Sequence, residues 1–111
     1  MQEERIVVLS GILRNRSIPF KDRLTIGRRM DCGLQLDDPQ VSRLHAEIEQ
    51  NEYGSFIRDL NSNNGTYVGE HRLSRERKLS PGDIIRVGRT QLRFDRCTDA
   101  PERATEGQEL G

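Results

Sequence analysis

Three polar clusters carry side chains that can do chemistry: Gly27-Arg28-Arg29, Ser42-Arg43-Leu44-His45, and Asp59-Leu60-Asn61-Ser62-Asn63-Asn64-Gly65-Thr66. Together they offer guanidinium, hydroxyl, imidazole, carboxylate and carboxamide groups. Two chemistries can be built from that set. One is an anion cradle: a phosphorylated side chain carries nearly two negative charges at pH 7 and three acceptor oxygens, so its receptor needs a guanidinium, hydroxyls and amides together. Arg28 supplies a planar fork matched to phosphate, which a lysine would not. The other is a hydrolytic triad of Ser42, His45 and Asp59. On a strand beginning near Arg43, the odd spacing of Ser42 and His45 turns them to opposite sides. No nucleophile-elbow pattern surrounds Ser42 either, so the cradle is the better reading.

The elements that must position these clusters are short strands. Glu4–Leu9 is a β-branched run ended by Ser10-Gly11; Ile12-Leu13 and Ile18-Pro19-Phe20 suggest a second, interrupted strand. Pro19 cannot donate to a ladder, so that strand lies at an edge or ends there. Arg23–Gly27 and Gly33–Leu36 alternate briefly, and Asp37-Asp38-Pro39 is a turn. His45–Gln50 alternates at period two, predicting Ala46 and Ile48 inward and the glutamates outward. Ser55–Leu60 returns in an extended pattern, and Asn64-Gly65 is a tight-turn signal that alone would make a hairpin to Thr66-Tyr67-Val68. Ile84–Val87 and Gln91–Phe94 form a last hairpin around Gly88-Arg89. About ten short strands with turn signals every eight to twelve residues predict an all-β sandwich of two twisted antiparallel sheets, with the loops at one end.

Composition narrows the function classes. The chain has 111 residues, enough for one domain with its own core, and its 32% apolar fraction suits a thin core between small sheets. Eighteen basic residues balance eighteen acidic ones, so no global field draws the chain to nucleic acid or anionic membrane. With five per cent aromatics there is little to stack bases on, which counts against a nucleic-acid face at Arg72–Lys78. The charged run from Glu70 to Lys78 reads as a solvated face, with a possible part in steering a ligand. No run of signal-peptide or membrane length follows Met1-Gln2-Glu3-Glu4-Arg5, so the expectation is a soluble, intracellular, cytoplasmic protein. Cys32 and Cys97 are too few for a metal site or disulfide framework and are expected as free thiols. No GxGxxG or metal cluster implies a cofactor.

In this order and spacing, the three clusters and the segment Leu79-Ser80-Pro81-Gly82-Asp83-Ile84-Ile85-Arg86-Val87-Gly88 resemble the signature of the forkhead-associated (FHA) domain, over roughly residues 5–95. The resemblance implies a β-sandwich that binds phosphothreonine in partner proteins, for signalling or assembly downstream of a Ser/Thr kinase, by recognition and without turnover. It makes Arg28 the phosphate-binding arginine, with Ser42, Arg43 and Asn63 as further phosphate contacts and Asn64 as the residue that bonds the ligand backbone. Gly27, His45, Asp59, Ser62, Gly65 and Thr66 would support the site, His45 as a brace beneath the loops. Gly27, Gly65 and Gly82 serve the backbone where positive φ or close approach is needed. Many members have an asparagine after the position of Val68, where this chain has Gly69-Glu70. Flanking-residue specificity would then come from Gln40, Arg43 and the residues near Gly69.

Residues 1–95 form the expected domain and 96–111 a polar, flexible tail. Thr98 and Thr105 in that tail would let it serve as its own ligand, or a neighbour's, if a kinase modified them. A phosphorylation-independent interaction or self-association through the same loops is the alternative to phosphothreonine binding.

Overall fold

A computed structural model describes residues 2–98. Eleven strands run through them: β1 (Gln2–Val8), β2 (Ser17–Phe20), β3 (Arg23–Gly27), β4 (Leu34–Gln35), β5 (Ala46–Asn51), β6 (Gly54–Asp59), β7 (Thr66–Val68), β8 (His71–Arg72), β9 (Arg77–Lys78), β10 (Ile84–Val87) and β11 (Thr90–Thr98). A six-stranded sheet has the order β2-β1-β11-β10-β7-β8, and a five-stranded sheet the order β4-β3-β5-β6-β9. Alternation decides which side chains meet between them. Leu24, Ile26, Ala46, Ile48 and Ile57 of the five-stranded sheet face Ile6, Val8, Ile85, Val87, Leu92 and Phe94 of the other, all buried in one core. Each large apolar side chain buried there contributes on the order of 1.5 to 3 kcal/mol. The predicted all-β sandwich is the fold observed.

Several local expectations need correction. Ile12-Leu13 is a turn, not the start of a strand, and β2 is confined to Ser17–Phe20. It sits at a sheet edge, as Pro19 requires. The sheets are not wholly antiparallel, because β4 runs parallel to β3 through Ile26↔Leu34 and Gly27↔Gln35. Glu47 is buried rather than exposed: the guanidinium groups of Arg23 and Arg58 cover its carboxylate, Arg23 at 3.3 Å. The last strand continues to Thr98 by pairing with Gln2, beyond the limit at residue 95 read from composition. Cys32 is a buried free thiol.

Asn64-Gly65 does more than its tight-turn signal alone would. It does not close a hairpin, because β6 lies in one sheet and β7 in the other, and the loop from Asp59 to Thr66 carries the chain across the top of the sandwich. The run after it is divided in the same way: His71-Arg72 belongs to the six-stranded sheet and Arg77-Lys78 pairs with β6 in the other. Pairing of Ile26 and of Asp59 with Ala46 brings the end of β3, the start of β5 and the end of β6 together. The three polar clusters therefore share one end of the molecule.

Glu4 lies toward the other end. It joins the sheets by accepting hydrogen bonds from the Gln50 amide (2.6 Å), the Ser55 hydroxyl and Arg96 Nε (2.9 Å). Burial alone would raise the Glu4 carboxyl, but the bonds from Ser55, Gln50 and Arg96 hold it below the ordinary glutamate range.

Candidate functional site

The end of β3 fits closely against the second cluster. A Cβ on Gly27 would stand 2.2 Å from the Arg43 carbonyl oxygen, so only glycine permits this approach. The amides of Arg28 and Arg29 donate to the Ser42 and Arg43 carbonyls at 3.1 and 3.2 Å, and His45 N–H donates to Ile26 O at 2.8 Å. The backbone thus fixes where Arg28 emerges. Its Nε donates to Val41 O at 2.6 Å, which leaves the two terminal nitrogens of an exposed guanidinium free to face a ligand. Arg28, Arg29, Met30, Asp31 and Arg43 line one open depression. Arg29 is engaged by Asp31 at 2.5 and 2.9 Å.

Ser42 connects the second cluster to the third. Its hydroxyl oxygen accepts the Asn63 amide at 3.0 Å, so the hydroxyl hydrogen is left to donate outward. Ser42 N–H donates to His45 Nδ1 at 3.0 Å. Nδ1 therefore carries no proton; Nε2 carries it and donates to Gly65 O at 2.8 Å. His45 is wholly buried and ties the two loops together from below, with both ring nitrogens occupied. Its partner on Ser42 is the amide and not the hydroxyl, so the Ser42–His45 half of a hydrolytic triad is not assembled. The period-two argument against that triad began from the wrong strand limit, since β5 starts at Ala46 and Ser42 precedes it.

Asp59 organises the third loop. It accepts from the Ser62 hydroxyl (2.5 Å), Ser62 N–H (2.9 Å) and the Thr66 hydroxyl (2.7 Å). Burial would raise its carboxyl, but the Ser62 and Thr66 donors lower it below the ordinary aspartate range. Ser62 Oγ also accepts Gly65 N–H at 2.9 Å. Gly65 has φ +86°, a conformation that favours glycine, and its Cα lies beside the Arg72 guanidinium. Asn64 Nδ2 donates to Gln40 O at 2.8 Å, which fixes the side chain and leaves Oδ1 as an acceptor for a ligand amide.

The structure thus gathers Arg28, Ser42, Arg43, Asn63 and Asn64 at one end, with Gly27, His45, Asp59, Ser62, Gly65 and Thr66 supporting them. Gly82 lies elsewhere, in the Ser80–Asp83 turn before β10. Sequence reasoning missed the Val41 and Gln40 carbonyls, which aim Arg28 and Asn64; a backbone acceptor leaves no trace in residue type. It also grouped Arg72 with a solvated run, whereas its guanidinium lies against Gly65 beside the recognition loop. Gly69, where the family's asparagine is absent, occupies a two-residue hairpin turn between Val68 and His71 with φ +61°.

Known proteins are similar to this chain. The family model described as "FHA domain" matches residues 24–88. The FHA domain-containing protein FhaA of Mycobacterium tuberculosis is 40% identical over 67 residues, covering 60% of this chain and 12% of that protein. The oxoglutarate dehydrogenase inhibitor of Corynebacterium diphtheriae is 42% identical over 71 residues, covering 63% of this chain and 48% of that one. The chain therefore spans half or less of the length of these relatives. A solved FHA domain studied for phosphothreonine-dependent interactions superposes with a TM-score of 0.77 at 31% identity, over 84% of this chain and 95% of its own. With the family model matched from Leu24 to Gly88, more than half of its length, the chain belongs to the FHA domain family.

Proposed function

We propose that this chain is a binding module for phosphothreonine in a partner protein, reading the product of an upstream Ser/Thr kinase. The observation that carries this is the set of unused donors on three connected loops. Among the described residues, Arg28 keeps its terminal nitrogens, Ser42 its hydroxyl hydrogen and Arg43 its guanidinium, while Asn64 keeps an acceptor for the ligand backbone. Phosphate oxygens require such a concentration of donors, and donors already fixed by the protein lose little entropy on binding. Phosphothreonine dependence is stated for the solved FHA domain that superposes here. Recognition rather than hydrolysis is supported by His45, whose nitrogens are both committed to backbone groups and so do not pair with the Ser42 hydroxyl.

Thr98 is poorly placed to reach the loops of its own domain. Thr98 ends β11, paired with Gln2, whereas β11 begins at Thr90 beside the loop end. That strand covers about 27 Å at 3.4 Å per residue. Thr105 lies outside the described residues.

The test is fluorescence anisotropy with degenerate peptide pools fixed at phosphothreonine, threonine or phosphoserine. Binding of the phosphothreonine pool alone, lost in Arg28→Ala, is expected. Equal binding of the unphosphorylated pool would establish a phosphorylation-independent interaction through these loops instead.

A further inference from the structure

Asn64-Gly65 is also a reactive pair. Asparagine followed by glycine is the dipeptide most prone to deamidation, because glycine has no Cβ to obstruct the approach of its amide to the preceding side chain. The Gly65 nitrogen, having given its proton to hydroxide, bonds to Asn64 Cγ. The Cγ–Nδ2 bond breaks, and Nδ2 leaves as ammonia with a proton from water, which returns the hydroxide. Water then opens the five-membered succinimide to aspartate or isoaspartate. Asn64 is the one asparagine of the chain that precedes a glycine.

The folded loop blocks both halves of that approach. Gly65 N–H donates to Ser62 Oγ at 2.9 Å. In the planar peptide, Cγ must bond where that hydrogen stands, and the Ser62 oxygen already covers the direction. Ser62 is kept from turning aside, since Asp59 accepts its hydroxyl at 2.5 Å and its N–H at 2.9 Å. The carboxamide is tied as well: Asn64 Nδ2 donates to Gln40 O at 2.8 Å, and Gln40 N–H is held in turn by Asp38 at 2.9 Å. Gly65 O accepts from buried His45 Nε2 at 2.8 Å, so the peptide units on both sides of Gly65 are fixed. Burial of Gly65 also limits the access of hydroxide to its amide.

We infer that Asn64 is a modification site held unreacted by Ser62 and the Gln40 carbonyl, and that its deamidation switches off the proposed phosphate site. The loss of binding rests on the phosphothreonine reading; the modification itself does not. Aspartate at position 64 would set a carboxylate against the Gln40 carbonyl and a negative charge beside an incoming phosphate. Isoaspartate routes the main chain through the side chain, and the added methylene draws Asn63 N–H away from Ser42 Oγ, where it now stands at 3.0 Å.

The test is peptide mapping by mass spectrometry, resolving asparagine, aspartate and isoaspartate at position 64. The full chain is incubated in mildly alkaline buffer, folded and in guanidinium chloride, with folded Ser62→Ala and Ser62→Thr alongside. The folded parent is expected to react about tenfold more slowly than the unfolded chain, or slower still. Ser62→Ala should react about tenfold faster than the folded parent, as loss of one hydrogen bond predicts, while Ser62→Thr, which keeps the hydroxyl, stays near it. Equal rates for folded and unfolded parent overturn the inference, and that comparison depends on no variant. An unchanged rate in Ser62→Ala overturns it too. A slower one would mean that Ser62 and Asp59 draw the proton from Gly65 and promote the reaction, the opposite of a guard. Deamidated protein, separated by ion exchange through its added negative charge, should bind the phosphothreonine pool about tenfold more weakly. Undiminished affinity overturns the switch. Should fresh protein bind no phosphothreonine pool, the phosphate reading has failed and takes the switch with it, while the rates still decide the modification.

Discussion

The two polar ends of the sandwich use similar groups in opposite ways. At the Glu4 end, carboxylate, serine, glutamine and arginine are turned on one another and consume each other's hydrogen-bonding capacity. At the loop end, histidine, aspartate, serine and threonine are satisfied below, and the groups above them are held with donors to spare. Polar content does not separate the ends. What separates them is whether the network closes on itself or leaves capacity facing water, and only an open network can exchange water for a phosphate. The closed end should therefore register in stability and the open end in affinity.

His45→Ala should break that division most severely. It strips the partners from the half-buried Ser42 N–H and the buried Gly65 O, so stability should fall by about 3 kcal/mol and phosphopeptide affinity should fall with it. Urea denaturation and anisotropy on the same sample check both. Glu4→Ala should show the pure stability effect, a loss of about 2 to 4 kcal/mol as the buried Ser55 hydroxyl and Arg96 lose their acceptor. Its affinity for phosphopeptide, measured where the protein remains folded, should match the parent. A fall in affinity would mean that the ends are coupled through the sheets.

Arg28→Ala should show the reverse. Loss of a charge-assisted contact costs on the order of 1.5 to 3 kcal/mol, roughly ten- to hundredfold in affinity, while stability falls by no more than about 1 kcal/mol, because the exposed Arg28 gives up only its Nε bond to Val41 O. Arg28→Lys should not restore binding, since an ammonium lacks the planar fork.

Acid sharpens the comparison more gently. Glu4, Asp38 and Asp59 all have folded carboxyl groups lowered against burial by their hydrogen bonds. Between the folded and unfolded values the unfolded chain binds more protons, so these groups stabilise fully above their unfolded values, near 4.5 for Glu4 and 3.8 for the aspartates. That stability is lost as the pH falls through the lower folded values. Glu4→Gln should flatten the acid limb of a pH–stability curve, and an unchanged limb would assign it to the loop-end aspartates. Phosphopeptide affinity should weaken earlier, near pH 6, where the phosphate takes up its second proton. The smallest effect belongs to Arg72→Ala, an exposed charge beside Gly65: a few-fold loss of affinity that disappears in high salt.

Much of the loop end was legible in sequence because its key residues are distinctive types in a distinctive order. Arg28, Ser42 and Asn64 announce donors and acceptors by their side chains alone, and Gly27 and Gly65 announce backbone demands that other residues cannot meet. The closed end was not legible. Glu4 and Ser55 stand far apart in the chain, and nothing in the type of either says that one will be buried against the other. Ile12-Leu13 was misread as part of a strand, because an apolar pair bounded by turn residues fits a short strand as well as a turn.

The sequence by itself determined the strand periodicity, the sandwich class and which residues make up the loop-end cluster proposed to hold phosphate, since these follow from residue type and local spacing. Only the tertiary structure decided that Asn64-Gly65 spans two sheets instead of closing a hairpin, that β4 runs parallel to β3, and that Val41 and Gln40 aim the binding side chains. The physical reason is the same in each case. Sheet pairing and backbone hydrogen bonds join groups that every residue carries, so the choice among partners is made by packing across the whole core and leaves no local mark.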